Sequence, residues 1–408
     1  MSKRFLDRRW LPGLALALGM AVVPARAERV DPTLPTRRVV GAPAGQSPMF
    51  RGDSARTGRT RQPLPSEPVV LWRARVTGGL DLPLVVDGRG HTIAASPMSQ
   101  LVELDDKGKL SFSVKTGSSP PVQGPVLTTD GTRIVLTAVG ELWGLTPNGA
   151  VRFRRTLPQS SALGGAQPLA TRDGGAVFWA GQSLYWIDPS GDVQARAKHT
   201  ATPVTLLELG GRILAVSERG DVYEWKPPEE PTKLGSFGGR IDEGAALSSS
   251  NHVTAVVDHT RVIDLKLSAG SRHIRVETSE LLQGPPTILS NGETRVASFA
   301  GLLLGHDRLG AETTRAALEP NSGASAGSVP GLTQPPPLLV DEKGRVAFVR
   351  PELDAGVVLE TGEIKSAAGA ACGDPISLTA AGKQRFVVAC RSGLILMIGA
   401  APVSGKAR

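Results

Sequence analysis

Apolar residues in this chain come in short runs with period two, broken at close intervals by Gly, Asp, Asn or Pro. The stretch AVFWAGQSLYWIDPSGDVQ, residues 176–194, is representative: two apolar runs, the turn Asp188-Pro189-Ser190-Gly191, then a more polar run. Runs this short, alternating rather than following a 3.6-residue stripe, predict β-strands joined by tight turns. The arrangement returns along the chain. Aligned on Gly191, the turn glycine recurs as Gly108, Gly149, Gly270, Gly310 and Gly362, with steps of 41, 42, 79 (two units), 40 and 52. The unit skipped in the 79-residue step has Pro227 to Pro231 in place of the glycine turn, and the small-residue loop Asn321 to Pro330 accounts for the longest step. A second marker runs in phase: Pro83, Pro125, Pro168, Pro203, Pro286, Pro337 and Pro375 each stand before an apolar run. At the first residue of a strand, the N–H that proline lacks falls outside the ladder.

Each unit thus predicts four short antiparallel strands, and a period near 40 residues with four strands per unit is that of a β-propeller. Units opening at the seven prolines and at Ala245 make eight. The last, ISLTAAGKQRFVVACRSGLILMIG, stops after three strands, and the lone run from Pro68 to Val76 precedes the first unit. That run supplies the missing fourth strand, so the two chain ends close the ring and remove exposed sheet edges. Residues 68–399 span 332 positions, or 41.5 for each of eight units. The expectation is all-β: an eight-bladed β-propeller of four-stranded antiparallel blades, closed by an N-terminal strand, with a tail at 400–408.

Composition changes this picture only at the N-terminus. Lys3, Arg4, Arg8 and Arg9 precede an apolar core, Leu11 to Val23, and a small-residue cleavage site, Ala25-Arg26-Ala27. This is the pattern of a signal peptide, residues 1–27, with an apolar core too short for a membrane span. Arg8-Arg9 has a twin-arginine look, but Pro12 interrupts it and the general secretory route fits better. No cysteine near the cleavage site offers a lipid acceptor. Residues 28–67, rich in Pro and Arg with little apolar periodicity, read as a linker lying across one face of the ring. The formal charge of +8 is concentrated in these two segments. Residues 1–27 hold five Lys/Arg against one acid and residues 28–67 seven Arg against four acids, which leaves +1 for the rest. A nucleic-acid or anionic-membrane partner loses its main support.

The blade pattern of strand, Gly or Asp, apolar triplet and Asp-x-x-Gly, as in Leu184 to Gly191, resembles the β-propellers built from quinoprotein-type (PQQ-like) repeats. Met49-Phe50-Arg51-Gly52-Asp53-Ser54-Ala55-Arg56-Thr57-Gly58 is similar to the lead-in those chains carry before their first strand, and Leu71-Trp72 to their closing strand. The resemblance covers residues 48–399 and implies one of two roles. Some members are dehydrogenases holding pyrroloquinoline quinone with a calcium ion. Others, including the periplasmic component of the outer-membrane β-barrel assembly machinery, are scaffolds without cofactor. The fourth strands here lack the docking tryptophan of the enzymes except at Trp72, no vicinal Cys-Cys pair is present, and the chain is short for a dehydrogenase.

Site candidates are few. Gly323-Ala324-Ser325-Ala326-Gly327 matches a nucleophile elbow but lacks the flanking strand and helix that would strain the serine, so it reads as a loop. His91, His199, His252, His259, His273 and His306 show no metal-binding spacing, and no metal is expected. Trp143, Phe178, Trp179, Tyr185, Trp186 and Trp225 recur at blade positions that fill the space between blades. Cys372 and Cys390 flank a hairpin expected to turn at Ala380 to Lys383, which places them nearly opposite each other on the first two strands of the last blade. Their Cβ atoms would then fall near disulfide reach, in a compartment where bridges persist. The functional expectation is a non-enzymatic, exported, periplasmic or secreted monomer that binds an envelope protein, with no catalytic residues and no cofactor. The alternatives are a quinone- and calcium-dependent dehydrogenase and a carbohydrate-binding propeller.

Overall fold

The structure, a computed structural model, describes residues 47–158, 165–199, 201–318, 338–350 and 354–401. The expected signal peptide, the first part of the linker, Gly323 to Gly327 and most of the tail lie outside the described residues. Among those described there is no helix, and eight antiparallel four-stranded sheets form the blades of a closed ring, as the repeat predicts. The innermost strands, in order, are Val85–Val86, Pro121–Leu127, Leu169–Ala170, Pro203–Leu209, Ala245–Ser249, Leu282–Ile288, Leu339–Asp341 and Pro375–Gly382, and each lies beside the next, with the last beside the first. Pro68–Arg75 pairs with Leu394–Ala400 and supplies the outer strand of blade 8. Outer strands such as Val151–Thr156 (VRFRRT) expose most of their residues and carry the charges that blunt an open sheet edge.

The chain crosses from each blade to the next on one face of the ring, which also bears the turns between second and third strands. We call it the crossover face; the opposite turn face bears the first-to-second and third-to-fourth turns. On the turn face the Asp-x-x-Gly sequences form Asx turns. Asp105 Oδ1 accepts the N–H groups of Lys107 and Lys109 at 2.9 and 2.8 Å, and Asp188 and Asp307 repeat the arrangement. The glycine that closes the turn has a second purpose. An added Cβ at Gly108, Gly149 or Gly191 would meet the ring of Trp72, Phe112 or Phe153, each from the outer strand of the preceding blade, at 2.7, 2.6 and 2.4 Å. The docking tryptophan is present only at Trp72, and at the next two junctions Phe112 and Phe153 fill the same position.

Two local expectations shift. Pro125 and Pro286 lie inside their strands rather than before them, at breaks in the pairing register. A proline there is tolerated because the innermost strand has a neighbour on one side only. In the last blade the hairpin turns at Lys383 and Gln384, both with positive φ (50° and 57°), and not at Ala380 to Lys383. Cys390 consequently pairs in register with Pro375. Cys372 reaches it from the crossover before the strand, with Cα atoms 5.8 Å apart, a disulfide-capable geometry. Trp143, Phe178, Trp179, Tyr185 and Trp225 are all buried between blades.

Candidate functional site

Eight innermost strands leave eight sheet edges facing one axis, with backbone N–H groups that need acceptors. The chain supplies them from its own N-terminal side. Ser47 exchanges backbone hydrogen bonds of 2.8 and 3.0 Å with Val86 of blade 1, and Pro48 C=O accepts Leu127 N–H of blade 2 at 2.7 Å. The carbonyls of Ser54, Ala55, Thr57 and Gly58 accept the N–H groups of Glu208, Leu247, Ile288 and Val340, from blades 4 to 7, each at 2.9 Å. Arg59–Thr60 then runs parallel to Leu339–Asp341 as a fifth strand of blade 7. Blade 3 is reached by Arg56, whose Nη2 donates to Gln167 O and Pro168 O at 3.0 and 2.7 Å, and blade 8 by Ser47 Oγ, which donates to Ala380 O at 2.9 Å. A segment this short that touches all eight innermost strands occupies the axis. Residues 47–60, expected to be linker, form a plug inside the ring. Their polar composition hid this because the plug is held by backbone carbonyls and guanidinium groups, not by an apolar face.

The plug is itself a folded turn. Asp53 accepts Thr57 N–H and the Thr57 hydroxyl at 2.9 and 2.5 Å, and the strand edge begins at Gly58, with φ +66°. Above and below it lie two cavities. The turn-face cavity, about 760 Å³, is bordered by Asp53 and Arg59 from the plug, by Arg61 just after it, and by Asp87, Asp130 and Arg172. The crossover-face cavity, about 520 Å³, has Phe50, Arg51 and Arg56 as its floor.

At the floor, Arg56 donates to the carbonyls of Leu206 (3.2 Å), Gln167, Pro168 and Phe50, so every guanidinium nitrogen has an acceptor. Arg51 donates from Nη2 to Pro286 O at 2.7 Å and Thr287 Oγ1 at 3.2 Å; its Nε and Nη1 have no hydrogen-bond partner among the described residues. Neither arginine has a carboxylate within ion-pairing distance among those residues. Burial pushes the Arg51 guanidinium down to about 9 and that of Arg56 to about 10, with Asp53 opposing both shifts through its charge. Both stay cationic at neutral pH.

The rim is different. Arg391 bridges Asp81 (2.9 Å) and Asp374 (2.7 Å), and Arg240 bridges Glu218 (3.1 Å) and Asp242. Asp242 also meets His259 Nε2 at 2.9 Å, while His259 Nδ1 lies 3.1 Å from Leu282 O. Beside them Glu243 is raised to about 7 by burial, against the Gly284 N–H that bonds it and the nearby His259.

Of the histidines, His199 is packed edge-on between Trp179 and Tyr223, a buried core position. His91 joins a cluster that spacing did not reveal: its Nδ1 lies 2.8 Å from Glu103 Oε1, and one ligand atom each from Asp87, His91 and Glu103 falls within 4.8 Å of the others. Arg133 already claims this site, at 2.7 Å from Glu103 and 3.1 Å from Asp87, and Arg89 adds a second cation. Two guanidiniums compensate two carboxylates, so the cluster is an ion-pair staple between blades 1 and 2 rather than a metal site.

No family model and no curated protein matches the chain. Solved structures do. BamB from Moraxella catarrhalis is 17% identical, with a TM-score of 0.61 over 81% of this chain and 97% of that one. The computationally designed Ika8 protein gives a TM-score of 0.58 at 11% identity, over 82% and 99%. A streptogramin B lyase gives 0.50 at 9% identity, over 82% and 98%. At these identities the likeness is one of fold.

Proposed function

We propose that the chain is an exported, non-enzymatic propeller that binds an envelope protein through its crossover face. The observation that carries this reading is the placement of exposed apolar side chains. Met98, Val139 and Phe299, on second-to-third-strand turns, and Leu281, on a crossover, are 59%, 56%, 46% and 55% exposed, all on that one face. They form two sets on that face, Met98 and Val139 on blades 1 and 2 and Leu281 and Phe299 on and beside blade 6, while the turn face exposes Leu309 (86%); apolar groups on the loops of a rigid ring are what a protein partner buries. The signal-like residues 1–27 and the disulfide-capable Cys372 and Cys390 agree with an oxidising compartment outside the cytoplasm.

The alternatives fare worse on the same surfaces. A calcium-bound quinone on the axis would need carboxylate or amide oxygens converging there. The axis instead holds the plug with its two guanidinium groups, and of the carboxylates that border the cavity Asp81, Glu218 and Asp242 are already taken up in ion pairs with Arg391, Arg240 and His259. A glycan platform would need a shelf of exposed aromatic rings, and among the described residues the large exposed aromatic is Phe299 alone.

The test is crosslinking in the native envelope followed by affinity capture and mass spectrometry, with wild type, Met98→Asp, Phe299→Asp and, on the turn face, Leu309→Asp. A partner retained by wild type and Leu309→Asp and lost from the other two supports the reading. Nothing above background, or equal recovery by all four, ends it.

A further inference from the structure

We propose that a vacant socket on the turn face, between blades 6 and 7, takes the indole ring of a tryptophan presented by another polypeptide. This surface lies apart from the crossover face and does not depend on the reading above. The first observation is a gap in the ring's own pattern. At three junctions an aromatic side chain from the outer strand of one blade covers the turn glycine of the next: Trp72 on Gly108, Phe112 on Gly149 and Phe153 on Gly191. At the junction of blades 6 and 7 the same outer-strand position holds Thr314, paired with Gly305 as Phe153 is with Gly144. Arg295 packs over Gly305, but nothing among the described residues lies within 4 Å of an added Cβ at Gly362. Of the six turn glycines in this register Gly362 alone is so bare, since backbone of the preceding blade approaches Gly270 and Gly310.

A cavity of about 210 Å³ opens beside that glycine. Leu303, Val346 and Val358, all buried, give it an apolar floor, and the rim carboxylates Glu293 and Glu360 are already paired with Arg295 and Arg345. An apolar floor under a rim of acceptors suits a ring that is apolar in body and carries one N–H. Blade 1 supplies the template: Trp72 Nε1 donates to Asp106 O at 3.0 Å, and Glu360 stands in the place of Asp106. The two turns are closed alike, Gly108 N–H on Asp105 O at 3.0 Å and Gly362 N–H on Leu359 O at 2.9 Å. The volume argues for one side chain rather than a whole small molecule. It exceeds the roughly 150 Å³ that holds a benzene ring and falls below the roughly 300 Å³ at which small-molecule pockets begin. Tryptophan is also among the commonest anchors of a protein interface.

Isothermal titration of the purified whole protein with the capped peptide acetyl-Gly-Trp-Gly-amide, its leucine counterpart and free indole tests the assignment. The tryptophan peptide is expected to bind saturably in the millimolar range, with the leucine peptide at least about tenfold weaker and indole no tighter than the tryptophan peptide. Gly362→Asn should weaken the tryptophan peptide by about tenfold with Tm unchanged, because asparagine accepts a positive φ and its side chain enters open space. Thr314→Phe is the second variant: it fills the socket from within, as Phe153 does at Gly191, and should abolish binding in a protein that still melts cooperatively. No saturation at millimolar peptide, equal binding of the leucine peptide, tighter binding of indole, or unchanged affinity in both variants would each overturn the proposal.

Discussion

Buried guanidinium groups occur in two regions of this ring, and the ring treats them in opposite ways. Arg133, 1% exposed, is neutralised by Glu103, equally buried, and by Asp87, and ties blade 1 to blade 2. Arg51 and Arg56, in the plug, are held by carbonyl and hydroxyl oxygens and by no carboxylate among the described residues. Carboxylates cancel a guanidinium's charge; carbonyls satisfy its hydrogens and leave the charge standing. The staple spends its cation on architecture, whereas the plug keeps a positive potential on the axis. The three buried arginines thus divide, by what accepts their hydrogen bonds, into one that is neutralised and two that keep their charge.

The largest effect should come from breaking the staple. Arg133→Met leaves Glu103 buried with only His91 and the half-exposed Arg89 beside it, and an uncompensated buried charge costs about 3–5 kcal/mol. Urea denaturation should show that loss, and the double variant Arg133→Met with Glu103→Gln should recover most of it. A double variant no better than the single would mean the cost is packing, and the contrast with the plug would lose its electrostatic basis.

Next in size is the plug itself. Gly58 has φ +66°, and an added Cβ would lie 2.9 Å from Leu338 O and 2.8 Å from Arg51 Nη2. Gly58→Ala should cost about 2 kcal/mol, from the left-handed backbone and a clash with a carbonyl that cannot swing away. The readout specific to the plug is trypsin cleavage after Arg51, Arg56 and Arg59, slow in wild type and fast in the variant. Unchanged cleavage would show that the plug tolerates the methyl group and does not depend on this close approach.

The contrast was half legible in the sequence. Period-two runs and a repeat near 40 residues reveal the ring and the closing strand, because the same physical need, burial of both faces of each inner strand, recurs eight times. The pairing of Cys372 with Cys390 is legible from the hairpin between them, but the position of its turn is not, since Lys383 and Gln384 do not look like residues that take positive φ. The plug was misread because its anchors are backbone carbonyls, which every residue has and no pattern marks. Gly52, Asp53 and Gly58 were visible as a lead-in, but their role depends on eight strand ends far away in sequence. The Asp87, His91 and Glu103 cluster went unseen for a related reason: its spacing only makes sense across a hairpin, and Arg133 arrives from the next blade.

Glu243 supplies the mirror image of Arg51 and the smallest expected effect. It is an anion on the same cavity, held by the Gly284 N–H and not by a guanidinium, and burial raises its carboxyl to about 7. Below its unfolded value of about 4.5 the group is protonated in both folded and unfolded states and carries no penalty. Between 4.5 and 7 the unfolded chain releases the proton while the folded chain keeps it, so stability falls as pH rises through this window. Above 7 the full penalty stands, at most about 3 kcal/mol and smaller to the extent that cavity water reaches the carboxylate. Glu243→Gln should therefore match wild type near pH 4 and exceed it by about 1–2 kcal/mol at pH 8, read as urea midpoints across the range. Parallel curves would mean that the carboxylate ionises freely, that the wall beside Arg51 is already negative at neutral pH, and that the positive floor is partly cancelled.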